Sequence, residues 1–169
     1  MSLSKNKDSR INEEGIVAKQ IIFEFERGGR VTADLLEEEA PKTCKLILSA
    51  LPFENPVVHA KWAGEEIFID GIPMPGTLDY ENDTNAVVPG DVACCSSISI
   101  RHEPHLADKG VTSLCIFYGI ARPRTSVDLT LDVNVFAKIK DIKAITEIGR
   151  RVRWEGSEKL TIKLKSSED

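Results

Sequence analysis

The sequence has no apolar run approaching the roughly 20 residues that a membrane-spanning helix needs. It has no excess of basic residues: 22 Lys and Arg stand against 27 Asp and Glu, for a net charge of −5. That balance argues against nucleic acid or an anionic membrane as the main partner. Residues 1–15 are polar and mixed in charge, without the apolar core of a secretory signal. There is no internal repeat and no low-complexity segment. The four cysteines, Cys44, Cys94, Cys95 and Cys115, have neither zinc-ribbon nor CxxC spacing, so reduced thiols and a cytoplasmic location are expected. No metal and no cofactor is expected.

What is present suits one globular domain. Hydrophobic residues make up 41% and charged residues 29% of 169, enough apolar material for a sizeable core. Residues 1–18 read as a polar flexible tail and residues 19–165 as a single domain. Ile21, Phe23 and Phe25 alternate with polar neighbours, then Gly28-Gly29 supplies a tight turn, then Val31, Ala33 and Leu35 alternate again, which predicts a hairpin. Pro41 suits the first position of a helix and the preceding Glu37–Glu39 suit its positive end. Cys44, Ile47, Leu48 and Leu51 form one apolar stripe, which predicts a helix plugging one barrel end through Ile47, Leu48 and Leu51.

Short strands are predicted over 57–62, 65–69, 91–95, 114–118 and 129–135, with long loops over 71–85 and 96–112. Asp141 can cap a helix carrying Ile142, Ile145 and Ile148, and Leu160, Ile162 and Leu164 mark a last strand. Many short strands with two helices predict a mainly β fold: a closed antiparallel β-barrel of about eight strands, which leaves no exposed edge.

Two stretches resemble cyclophilins. Ala40-Pro41-Lys42-Thr43 is similar to that family's V-P-K-T at the start of its first helix. Val135-Phe136-Ala137-Lys138-Ile139, a helix, then Lys159-Leu160-Thr161-Ile162 is similar to its closing V-F-G-K-V, helix and K-I-T-I. The resemblance implies a cyclophilin-like barrel. The middle departs from the pattern: Val58 to Glu65 stands where the family has F-H-R-I-I-P-G-F, with Ala60 in place of the Arg that polarises the prolyl amide. The family's Gln, Trp and His would fall at Phe68, Asp128 and Val133. Lys61 could replace the Arg only with a one-residue slip of register. The chain is also similar to a group of bacterial proteins with this barrel and no established reaction. The resemblance therefore implies the fold, and efficient prolyl isomerase activity is not expected.

Several residues could carry chemistry. His59, Lys61, Glu65 and Glu66 place an imidazole, an amine and two carboxylates in one hairpin, a set suited to acid–base work on a small polar molecule. A solvated strand face with Trp62 packed inward is the alternative. Tyr118, Arg122 and Arg124, with Gly119 allowing close approach, could clamp a carboxylate or phosphate; surface arginines pairing with the protein's own carboxylates are the alternative. His102 and His105 flank Pro104 and lack a local third ligand, so a polar loop is expected there. Cys94 and Cys95 should point to opposite faces of a strand. Three functions stay open: binding of a small, anionic metabolite or an accessory role; a prolyl isomerase or proline-peptide binder; and a homo-oligomeric interaction module.

Overall fold

A computed structural model describes residues 18–73, 78–95, 111–125 and 130–169. The strands are β1 (Gln20–Phe25), β2 (Arg30–Leu35), β3 (Phe53–His59), β4 (Gly64–Pro73), β5 (Asp83–Thr84), β6 (Asp91–Cys95), β7 (Val111–Ala121), β8 (Val133–Ile139) and β9 (Glu158–Leu164); the helices are α1 (Pro41–Ala50) and α2 (Ile142–Glu155). Hydrogen bonding runs β2-β1-β9-β3-β4-β7-β6-β8, and β8 returns to β2, closing an eight-stranded antiparallel barrel; β5 adds one short strand to β8. Among the described residues no helix is long and apolar enough to cross a membrane.

The hairpin falls where the glycines put it. Gly28 and Gly29 have φ of +94° and +104°, and Phe23 pairs with Val31 across the turn. The inward residues of the strands, among them Phe23, Ile67, Ile69, Leu114, Ile116, Phe136, Leu160 and Ile162, fill the barrel. A smaller apolar layer lies on the outside of β6, β7 and β8, built from Ala93, Cys115, Phe117, Val133 and Val135. Cys94 faces the inner core and Cys95 the outer layer, as alternation requires.

The helices lie at opposite ends. α1 follows the Leu35 end of β2, and its buried face is Thr43, Cys44 and Ile47. Leu48 and Leu51 are only half-buried against the core, so Ile47 is the inner residue of the stripe. The glutamates before α1 are not in its first turn. Its free N–H groups are met from across the fold: Glu81 accepts from Lys42 N at 3.1 Å and from Thr43 N and Oγ1, both at 2.8 Å. Asn134 is buried and ties this region together, donating to Thr43 Oγ1 and the Asp79 carbonyl.

α2 covers the other end with Ile145, Ile148, Gly149 and Val152, and Asp141 caps it by accepting from Ala144 N at 3.0 Å. Ile142 is on its outer side. Other boundaries move too. β3 ends at His59, β4 runs on to Pro73, into the start of the predicted loop, and β8 starts at Val133 rather than Leu129. Residues 1–17 of the predicted tail, His102, His105 and Asp128 lie outside the described residues.

Candidate functional site

His59 is the last residue of β3 and, two positions after the core residue Val57, faces the barrel interior at the mouth beneath α2. Its Nε2 lies 2.7 Å from the hydroxyl of Tyr118, with the two rings edge to face at 5.7 Å. Tyr118 is 1% exposed. Its ring lies against Gly149 of α2, where any Cβ would collide with it, and its carbonyl accepts from Thr146 Oγ1 at 3.1 Å.

A bulge sets the direction of Tyr118. Gly64 pairs with Ala121 but Glu66 pairs with Phe117, so Glu65 alone stands opposite Tyr118, Gly119 and Ile120. Bulges re-aim side chains and recur beside functional sites. The Glu65 carboxylate holds this one by accepting from Ile120 N at 2.8 Å. Gly119 makes room for it, since a Cβ there would run into that carboxylate. Gly64, with φ of +105°, does the same opposite, because a Cβ would meet the Ile120 carbonyl at 2.6 Å.

Charge at the mouth comes mainly from α2. Burial, then the Arg153 guanidinium, then Lys61 push the His59 pKa down to about 4, against a smaller opposing effect of Glu65. His59 is therefore neutral at pH 7. Burial raises the Tyr118 pKa, while the adjacent Arg153 and, more weakly, Arg150 oppose it. A guanidinium only donates, so beside Arg153 the Tyr118 oxygen turns its lone pairs toward the cation and its hydrogen toward His59 Nε2. That assignment leaves the imidazole proton on Nδ1. Nδ1 of His59 and Nε of Arg153 are both buried without a hydrogen-bond partner among the described residues. An unmet buried donor costs about 1–3 kcal/mol, so two at one site are unusual.

The sequence-level candidates separate into two faces. His59, Glu65 and Tyr118 come together at the mouth. Lys61 is exposed in the turn after β3 and reaches His59 only through its charge. It does not share a strand face with His59, because the strand has ended. Glu66 turns to the outer face, where it is 6% exposed beside the Cys115 thiol, and burial pushes its pKa up to about 7. Trp62 does not pack inward: it is 44% exposed, lies edge-on to Phe68 at 5.8 Å and donates from Nε1 to the Arg124 carbonyl at 3.0 Å. Arg122 is exposed, its N–H donating to the Ala63 carbonyl, and neither its guanidinium nor that of Arg124 is among the charges that shift His59 or Tyr118.

Arg153 was not a sequence-level candidate. The available signal is Gly149 within the apolar stripe of α2, a close-approach position one turn before Arg153. A separate open groove of about 400 Å³ is lined by Glu26, Glu54, Asn55, Pro56, Ser157, Glu158 and Lys159. Its charged groups are already engaged, Glu158 with Arg27 and Arg151, Glu54 with Lys159, and Glu26 by accepting from Lys159 N, so the mouth is the stronger site.

Comparison with known proteins agrees with the barrel and leaves its use open. A family described as "Protein of unknown function (DUF3830)" matches residues 25–164. The chain belongs to that family. Its matched span covers every strand of the closed barrel in whole or in part and both helices. No curated protein matches the chain. Among solved structures it is similar to McbB, determined in complex with tryptophan, with a TM-score of 0.63 and 22% identity; the match covers 87% of this chain and 45% of McbB, so the chain spans under half of that protein's length. It is also similar to the hypothetical protein AF2241 from Archaeoglobus fulgidus, with a TM-score of 0.58 and 21% identity over 91% of this chain and 100% of the other. At such identities these likenesses speak for the fold alone.

Proposed function

We propose that this protein binds a small molecule at the barrel mouth beneath α2, and that it is not an efficient prolyl isomerase. The observation that carries the reading is the polar set His59, Tyr118 and Arg153, held in an otherwise apolar barrel by a bulge and left with two unmet donors. Buried polar groups left without partners beside an apolar core call for an explanation, and an absent ligand supplies one. A neutral imidazole bonded to a tyrosine hydroxyl can also pass a proton, so acid–base chemistry on the bound molecule is within its means.

The cyclophilin resemblance offers the competing activity. Isomerisation has an uncatalysed barrier of about 18–20 kcal/mol, and lowering it needs charge placed against the twisted amide. Ala60, at the family's Arg position, is buried and apolar, Phe68 and Val133 belong to the outer apolar layer, and Lys61 points from an exposed turn. These positions together lack the fixed cation and the proline-pocket residues that act as a unit.

The experiment is a ligand-observed NMR screen of small metabolites, repeated on His59→Phe, with an Ala-Pro peptide isomerisation assay run beside it. Binders lost in His59→Phe are expected. No binder displaced by that variant, or isomerase efficiency within about tenfold of a cyclophilin control, would contradict the reading.

A further inference from the structure

We propose that the ligand of the mouth is a small monocarboxylate, held by the Nδ1–H of His59 and the Nε–H of Arg153. The inference rests on the reading of the mouth as a binding site and names what the site takes. Both unmet atoms are donors once the Tyr118 hydrogen is directed at His59 Nε2. Two unmet donors at one mouth call for an acceptor, and a carboxylate offers two oxygens in one plane.

The charges facing the mouth favour one negative charge over two. From β3 and the turn after it come neutral His59 and Lys61, from β4 Glu65, from β7 Tyr118, and from α2 Arg150 and Arg153. Lys61 and Arg150 are exposed, so water screens them; Arg153 is the partly buried cation. Glu65 acts on both His59 and Tyr118, and its negative charge weighs against a dianion. An amine is disfavoured by the Arg153 charge. Both nitrogens are closed to solvent, so entry requires Arg153, in the last turn of α2, to swing outward on its flexible stem.

The test is a titration of uniformly ¹⁵N-labelled full-length protein with benzoate, and separately with benzylamine and inorganic phosphate, following the side-chain nitrogens of His59 and Arg153. Benzoate is expected to shift both saturably. Arg153→Lys keeps the charge and removes the Nε–H, and should weaken benzoate about tenfold while the backbone spectrum stays that of the folded protein. Saturation by benzylamine or phosphate in place of benzoate would overturn the carboxylate assignment and leave the binding site standing. Unchanged benzoate affinity in Arg153→Lys would overturn the role of Nε. If benzoate produces no shift at the mouth while the metabolite screen yields His59-dependent binders, the carboxylate class alone is wrong; if neither binds, the mouth is not a ligand site.

Discussion

Glu66 and His59 carry opposite pH signatures, because burial disfavours the charged form of each. Folded His59 takes its proton near pH 4 rather than 6.5, so the unfolded chain holds more protons between those values and stability is lost as pH falls from 6.5 toward 4. Folded Glu66 keeps its proton up to about pH 7 rather than 4.5, so the folded chain holds more protons between those values and stability is lost as pH rises from 4.5 past 7. Glu66→Gln should therefore stabilise the protein at pH 8 by about 1–3 kcal/mol and leave it nearly unchanged at pH 4. Urea unfolding at the two pH values checks this; an equal effect at both would mean that Glu66 ionises like a surface carboxylate. Sequence adjacency put Glu65 and Glu66 in one candidate set. The strand's alternation sends one to hold the Tyr118 bulge and the other to the outer apolar layer, and only knowledge of which face is which separates them.

At the scale of elements, local pattern succeeded where the cause was local. The glycine turn, the Asp141 cap and the alternation of β1, β2 and β9 are each set by residues a few positions apart. The cap of α1 was not legible, since Glu81 reaches it from far along the chain, and neither was the β7 bulge, which exists only in the pairing with β4. The apolar stripe of α1 was read correctly as a stripe but centred one residue too far along. Ile47, fully buried, is the residue that meets the core, whereas Leu48 is half-buried. Ile47→Ala should cost about 2–5 kcal/mol, with Leu48→Ala clearly below it. Thermal or urea unfolding of both variants decides the order, and a larger loss for Leu48→Ala would show that the helix is rotated from its described orientation.

For the whole molecule, closure of β8 onto β2 is what turns these elements into a site. It places β3, β7 and α2, distant in sequence, around one mouth, and so brings Arg153 to His59 and Tyr118. The fold class was legible because eight short strands without an edge have few ways to close. The site was legible only in part: His59, Tyr118 and Glu65 were candidates on residue chemistry, while Arg153 came from the packing of α2 around Gly149. The function proposed for the mouth depends on a neutral His59 whose proton sits on Nδ1. The measurement that tests this most directly is an NMR pH titration of the imidazole nitrogens in the full chain, with His59 assigned by its loss in His59→Phe. The expected result is a pKa near 4 and, at pH 7, the Nδ1–H form with Nε2 accepting from Tyr118. A pKa near 6.5, or the Nε2–H form at pH 7, would contradict it.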